Sequence, residues 1–565
     1  MILDISNNCA LSSKDSKLLD KLAKKVSFEY TELITEFIQL NNLIGLDLIL
    51  SVCSRNPFHS NLFNFLCKIN LLEQKLVAKD KIETIIVENL FQKQVVVKII
   101  ERFQLKKISI KVKKPYHRLT RFMLISVKLL SALHRILINL IWLFFFDSPR
   151  RYKHLNNIIL VDTFILPNSI SKNGVFVDRY FPRLINLLKN NVKKRVYFNP
   201  IFHNQGGLLS FLRVARSAKK TNSNFIFQES WLHFGDYFFA LYQNFKAANK
   251  PNSFPKYHDL DLKNIFIDEL KKDLFSPSLM IAYCKFLFLK KIKDRNVHIT
   301  TAIDWYENQP VDKTFNYGMK LLYPNTKVYG YQGYISPEYE MHKTPSKIEI
   351  DNLLCPDEIK VISNRSVQYL KENAPYIKSS IVTALRFDYL SGLIGKLPNS
   401  SDKYIFISLP MDLSESADIL KKCLNISQKL LQNYELKVKI HPANNIKKFK
   451  RKVPDINNKI FSIVDKSIEK LLFNANLVIS SASSVCFEAA SLGIPVAVNG
   501  NSHGVSMSPI EPDINGFKQN IFHSSNDLNQ FIEKYIGIRR EDSIRENFCL
   551  DQGSSFANII NEVKD

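Results

Sequence analysis

Lys437-Val-Lys-Ile-His-Pro442 and Leu477-Val-Ile-Ser-Ser-Ala-Ser-Ser-Val-Cys-Phe-Glu-Ala-Ala-Ser-Leu-Gly-Ile-Pro-Val-Ala-Val-Asn499 decide the fold of this chain. Each begins as a short β-branched strand and breaks into a loop of small or polar residues; the second loop then opens a helix closed by Gly493 and Pro495. Strands buried on both faces of a parallel sheet become near-continuous apolar runs. Ligands collect at their carboxyl ends, where helix N-termini present unpaired N–H groups. His441 and Ser480 to Ser484 fall at two such ends, so the pair of stretches predicts an α/β nucleotide site.

The same rhythm extends outward. Tyr404-Ile-Phe-Ile-Ser-Leu409 starts this sheet, with a helix expected from about Ser414 to Leu431. Upstream, Asn157 to Thr163, Arg195 to Phe198, Asn224 to Gln228, Val297 to Ile303, Lys327 to Tyr331 and Ile359 to Ile362 read as strands. Val175 to Asp178 leads into a helix around Leu184 to Leu188. Asp388 to Lys403, rich in Gly, Pro and Ser, reads as a linker. The prediction is two Rossmann-like lobes, residues 156–395 and 396–565, with a cleft between them. Residues 1–105 read as a helical domain, with Leu18, Leu19, Leu22 and Val26 on one face and Leu33, Phe37, Leu40, Leu43 and Ile44 on another.

A chain of 565 residues exceeds one core. Its 78 Lys and Arg against 53 Asp and Glu, a formal charge of +25, call for an anionic partner. Eight scattered cysteines without a Cys-x-x-Cys pair argue against a zinc site or a disulfide framework and fit a reducing cytoplasm. The N-terminus has no basic flank or long apolar core, so no secretion signal is expected.

Much of the charge is concentrated in residues 106–155. Lys106, Lys107, Lys111, Lys113, Lys114, Arg118, Arg121, Lys128, Arg135, Arg150, Arg151 and Lys153 stand there against one acid, Asp147. Phe122 to Phe146 is long enough to span a bilayer, but Arg121, Lys128 and Arg135 recur every seven residues on one helix face, which spanning would leave in hydrocarbon. The segment is therefore expected to lie on an anionic membrane surface, those cations in the headgroups and Leu124, Leu129, Leu133, Leu137, Ile141, Trp142 and Phe145 in the acyl boundary. A core helix with snorkelling cations is the alternative. No base-reading motif accompanies the charge, and no nucleic-acid partner is expected.

A strand ending in His-Pro, then a Ser-rich turn and Phe-Glu-Ala-Ala-x-x-Gly-x-Pro-Val, resembles the carboxyl half of GT-B glycosyltransferases, in particular bacterial surface-carbohydrate enzymes such as sialyltransferases and capsule Kdo transferases that use CMP-activated sugars. The resemblance covers roughly residues 156 to 540. It implies that His441, beside Pro442, contacts the donor phosphate and that Glu488 holds ribose hydroxyls. From the residues themselves, an imidazole at a strand end can donate to a leaving phosphate. Ser480, Ser481, Ser483 and Ser484 can add hydroxyls and helix-start N–H groups.

An acceptor hydroxyl needs a base. Glu307, in Asp304-Trp-Tyr-Glu-Asn-Gln-Pro310 after a strand, is placed at the cleft, with Asp304, Asn308 and Gln309 beside it and Gln332 after the next strand. These segments resemble the Glu-Asn-Gln and Gly-Tyr-Gln segments of surface-carbohydrate biosynthesis proteins, although Gly333 stands where a histidine is common. Asp304, Asp178 and Glu229 are rivals for the base. Asp259-Leu-Asp261 spells a metal-binding Asp-x-Asp but precedes a helical pattern, so no metal or other cofactor is expected.

The sequence thus predicts an inverting, metal-independent glycosyltransferase. It would move a sugar, such as a CMP-linked ulosonic acid, from a nucleotide-sugar donor to a cell-surface polysaccharide or lipid-linked acceptor at the cytoplasmic membrane face. A CDP-glycerol-type phosphotransferase and a basic non-catalytic adaptor are the alternatives.

Overall fold

Strands buried on both faces alternate with helices to give two six-stranded sheets, all parallel, in the computed structural model. The structure describes the chain apart from residues 8, 106, 116, 146–154, 167–168, 172–174, 203–207, 220, 222, 395, 397–402, 510–519, 541–542 and 562–565. The strands run β1 Ile2–Asp4, β2 Thr84–Val87, β3 Ser109–Val112, β4 Ile158–Ile165, β5 Val196–Phe202, β6 Lys256–Tyr257, β7 Leu260–Asp261, β8 Ile299–Trp305, β9 Lys327–Gln332, β10 Glu358–Val361 and β11 Lys378–Ile381. The carboxyl half adds β12 Tyr404–Ser408, β13 Glu435–Lys439, β14 Phe461–Ile463, β15 Leu477–Ser480, β16 Val496–Asn499 and β17 Ile521–Phe522.

The carboxyl sheet is ordered β14-β13-β12-β15-β16-β17 and the amino sheet β11-β10-β9-β8-β4-β5. In each, the strand order reverses once, between β12 and β15 and between β4 and β8. A reversal leaves a crevice at the carboxyl ends of the two strands, because successive crossovers go to opposite faces. Glu307 follows β8 and Ser481 follows β15, so both lie at switch points.

Several expected elements change. Asn224 to Gln228 is not a strand but one bridge, Phe225 to Phe198, running into a short 3-10 turn. Val175 to Asp178 contributes only a bridge from Phe176 to Ile170, and the helix after it is the single turn Leu184–Leu187. The helix expected from Ser414 to Leu431 is two, Leu413–Cys423 and Gln428–Leu431. The expected linker begins with the 3-10 segment Leu385–Leu393, and residues 397–402 lie outside the described part.

Residues 1–105 do carry long helices, Ser13–Leu40, Leu62–Val77 and Leu90–Arg102, but these surround a parallel sheet ordered β1-β2-β3. Its strands are three and four residues long, too short for alternation to stand out against helical periodicity. β3 lies beyond residue 105, so the amino-terminal unit runs into the basic segment. It packs on the amino lobe through Arg55, whose guanidinium is 2.9 Å from Glu349, and Ser51, whose backbone N–H donates to Asp273 at 2.8 Å. It also touches the carboxyl lobe, where Ser16 donates to the Asn501 carbonyl at 3.0 Å.

The long helix of the basic segment, His117–Phe145, differs from the expectation in where its cations go. Arg121 pairs with Asp268, Lys128 donates to the Lys272 carbonyl, and Arg135 donates to the Phe202 carbonyl at 2.7 Å. The cations therefore anchor the helix to the protein, where they find acceptors. Leu124, Leu133 and Leu137 do face outward, Leu129 and Ile141 are half-buried, and the side chains of Trp142 and Phe145 lie outside the described residues.

Beneath the amino sheet lies a buried polar layer. The Lys285 ammonium is 2.6 Å from Asp162 of β4 and also donates to Asn199 of β5. Asn316 donates to Asp304 of β8 at 2.8 Å. This layer fixes the three strands whose carboxyl ends border the amino-lobe crevice.

Candidate active site

On the carboxyl-lobe wall, the turn after β15 starts the helix Ser484–Ser491. Ser483 caps it, its hydroxyl accepting from Val485 N–H. Gly493 closes it at φ +71°, a conformation that strains a side-chain-bearing residue. Ser483 and Ser484 remain half-exposed at the crevice. Ser480 does not, because its buried hydroxyl donates to the Ser408 carbonyl at 2.7 Å and ties β15 to β12; it is a structural residue. Ser481 is likewise buried, beside Glu415, whose carboxyl burial and Asp412 push up to about 7 while Ser481 opposes them.

His441 stands at the start of the loop after β13, half-buried, with Pro442 exposed beside it. Its Nδ1 accepts from Ala443 N–H at 3.1 Å. Burial and then Arg179 hold the imidazole below its usual range. The neutral ring therefore carries its proton on Nε2, free to donate. Glu488 is buried one turn into the Ser484–Ser491 helix, raised by burial and held by the hydroxyls of Tyr389 and Ser484.

On the amino-lobe wall, Glu307 accepts from the Trp305 indole N–H at 2.8 Å, and its own backbone N–H donates to Asp312 at 2.9 Å. Trp305 stacks edge-on with Tyr180, ring centroids 4.9 Å apart, and Arg386 lies 5.5 Å over the Trp305 ring. Arg386 is held below its usual range by burial and by Arg179, with Glu488 opposing them. Two guanidiniums, Arg179 and Arg386, thus stand between Glu307 on one lobe and His441 and Glu488 on the other.

A separate cavity of about 300 Å³, lined by none of these side chains, lies between the lobes, bordered by Gln332, Tyr334, Lys343 and Arg365 on one side and Phe487 and Ser508 on the other. Lys343 pairs with Glu340 and sits 4.3 Å over the Tyr334 ring; burial outweighs the charge of Glu307 and pushes its ammonium down to about 7.

Of the expected cleft residues, Gln332 lines this cavity and donates to the Lys343 carbonyl at 2.9 Å. Asn308 and Gln309 do not reach it. Asn308 is buried and donates to the His342 carbonyl at 2.7 Å, while Gln309 caps the next helix and accepts from Asn56. Asp304 is fully buried in the polar layer, where burial, Asp312 and Asp162 keep its carboxyl well above the usual range. Enclosed there and accepting from Asn316, it faces the core and not the cleft. Asp178 and Glu229 are buried too, Asp178 accepting from Thr163 and from the backbone of Tyr180 and Phe181 to shape the turn that carries Arg179.

Gly333 has a packing reason. A Cβ there would come 2.4 Å from Tyr331 and 2.7 Å from Trp305, so the histidine common at this position has no room. Asp259-Leu-Asp261 belongs to the β6–β7 hairpin, whose Tyr257 donates to Glu29, and plays no part in the cleft. No cluster of three His, Cys, Asp or Glu able to hold a metal occurs among the described residues.

Two doubly wound parallel sheets meet at their switch points across one cleft. The fold is GT-B. No protein-family model matches the sequence, and no curated protein is similar to it. Similar solved structures include Staphylococcus aureus MnaA with UDP (9% identity, TM-score 0.39, covering 73% of this chain and 96% of that one). Others are Neisseria meningitidis UDP-GlcNAc 2-epimerase bound to UDP-GlcNAc (12%, 0.36, 72% and 99%) and Acinetobacter baumannii MurG (11%, 0.33, 67% and 90%). Likenesses this distant carry no part of the functional reading, and the fold assignment rests on the sheets themselves.

The site gives a pH prediction. Burial pushes Asp178 up to about 6 against an ordinary 3.8, so between these values the folded chain holds a proton that the unfolded chain has released. Stability is therefore expected to fall as pH rises through that window, and Asp178→Asn to reduce the fall. Urea denaturation at about pH 4 and about pH 7 checks it.

Proposed function

We propose that the protein is an inverting, metal-independent glycosyltransferase using a nucleotide-sugar donor to extend a cell-surface polysaccharide or lipid-linked acceptor. The observation that carries this reading is the placing, across one cleft, of a half-exposed carboxylate, Glu307, opposite His441, Ser483 and Ser484, with the guanidiniums of Arg179 and Arg386 between them as groups suited to an anion. In the proposed step Glu307 takes the acceptor hydroxyl proton as the oxygen bonds to the anomeric carbon. The bond from that carbon to the phosphate oxygen breaks, and its electron pair leaves with the nucleotide. Arg179, Arg386 and the Nε2–H of His441 face that growing negative charge, supplying what a divalent metal supplies elsewhere. The assignment of Glu488 to the ribose hydroxyls rests on the sequence resemblance, since its buried carboxylate already accepts from Tyr389 and Ser484. The finer choice of a CMP-linked ulosonic acid rests on the sequence resemblance alone.

The test starts with thermal stabilisation by CMP, CDP, UDP and GDP. A cognate nucleotide at about 100 times its Kd stabilises by about 2.7 kcal/mol. His441→Ala is expected to keep the fold and to cut turnover about a hundredfold, the scale of one lost donor to a developing anion. Release of the nucleotide with a polyol phosphate would identify a phosphotransferase instead. No response to any nucleotide would leave a binding protein without catalysis.

A further inference from the structure

The long helix His117–Phe145 turns its apolar side outward, and we propose that this side, together with the neighbouring helix Phe234–Asn249, is a membrane-docking surface that inserts into the acyl boundary of an anionic bilayer. Within it, Arg121–Ile141 is long and apolar enough to cross a membrane. Phe122, Val127, Leu130 and Leu137, at helical spacing, are each at least 56% exposed. The helix Phe234–Asn249 packs against it and exposes Phe238 and Tyr242. Soluble proteins rarely leave so much contiguous apolar surface in water.

Charge selects the occupant. The helix His117–Phe145 contains no acid, and neither does its neighbour Leu208–Lys219, which exposes Arg213 and Arg216. Lys246 and Lys271 are exposed on two further adjoining helices, and the one acid of Phe234–Asn249, Asp236, is paired with Lys291 at 2.7 Å. An apolar face beside cations complements anionic headgroups over hydrocarbon. A symmetric contact with a second copy would instead set like charges against like.

Crossing the bilayer is ruled out by the other side of the helix. Arg121, Lys128 and Arg135 hold it to the protein from residue 121 to residue 135, so that stretch lies in the interface. Arg135, two-thirds of the way along the helix, reaches the Phe202 carbonyl, at the carboxyl end of β5, the same end of the sheet as the cleft. The docked face would therefore bring the cleft close to the lipid surface; its use for a lipid-linked acceptor rests on the transferase reading, whereas the docking itself does not.

Flotation of the full-length protein with phosphatidylcholine vesicles, with and without about 30 mol % phosphatidylglycerol, tests it. The native protein is expected to float with the anionic vesicles. Combined Phe122→Ser, Val127→Ser and Leu130→Ser should weaken binding by at least about a hundredfold with unchanged circular dichroism. Leu130→Ser alone, at a position already 66% exposed and so harmless to the fold, should weaken it about tenfold. Arg213→Glu with Arg216→Glu should weaken binding to the anionic vesicles only. Native protein that floats with neither vesicle, or a Leu130→Ser variant that binds as the native protein does, overturns the proposal. So does a native dimer that these serine substitutions convert to monomer, which would make a second copy the occupant. No turnover is read, so failure here leaves the transferase reading standing.

Discussion

Glu307→Gln is expected to bind nucleotide as the native protein does while turning over roughly 10²- to 10⁴-fold more slowly, the usual worth of a general base. Glu307 belongs to the amino lobe, whereas His441, Ser483, Ser484 and Glu488 belong to the carboxyl lobe, so a base at Glu307 acts on the chemical step and not on donor affinity. Glutamine keeps the shape and can still accept from the Trp305 indole N–H, but it cannot take a proton at neutral pH. The rivals are weak on physical grounds: Asp304, Asp178 and Glu229 are all buried, and burial is the largest influence raising each carboxyl. Single-turnover kinetics beside nucleotide titration separates the two quantities. Equal turnover would remove Glu307 from the mechanism. Lost nucleotide binding would make it a bridge between lobes.

The second large effect is structural. Lys285→Met should destabilise the fold by about 3–5 kcal/mol, the cost of leaving one member of a buried ion pair without its partner. Lys285 is fully buried and is the cation that meets Asp162, with Asn199 sharing the ammonium. Methionine fills much the same space, so the loss reports the uncompensated carboxylate more than a cavity. Urea denaturation of Lys285→Met, Asp162→Asn and the double variant checks it. In the double variant neither charge remains, and stability should recover part of the loss. A single-variant effect below about 1 kcal/mol would mean that the pair is solvated.

The parallel α/β character is legible in the residues alone, because strands buried on both faces must be written as apolar runs, as in Leu477-Val-Ile and Tyr404-Ile-Phe-Ile. The sequence also placed His441, Ser483, Ser484 and Glu307 just beyond strand ends, since those positions follow from the strand pattern whatever the details of packing.

Tertiary structure alone decided the rest. Arg179, Arg386 and Lys343 enter the cleft from segments with no motif, brought together only when the two sheets meet. Ser480, Asn308 and Gln309 were at the right places in the chain, but their side chains satisfy buried partners instead, a matter of a rotamer and a neighbour that local sequence does not encode. The helix His117–Phe145 shows the division most plainly. Its periodicity specified one cationic stripe and one apolar stripe, but which stripe met the protein depended on Asp268 and two backbone carbonyls supplied by distant parts of the chain. Those acceptors drew the cations inward and left the apolar stripe outside.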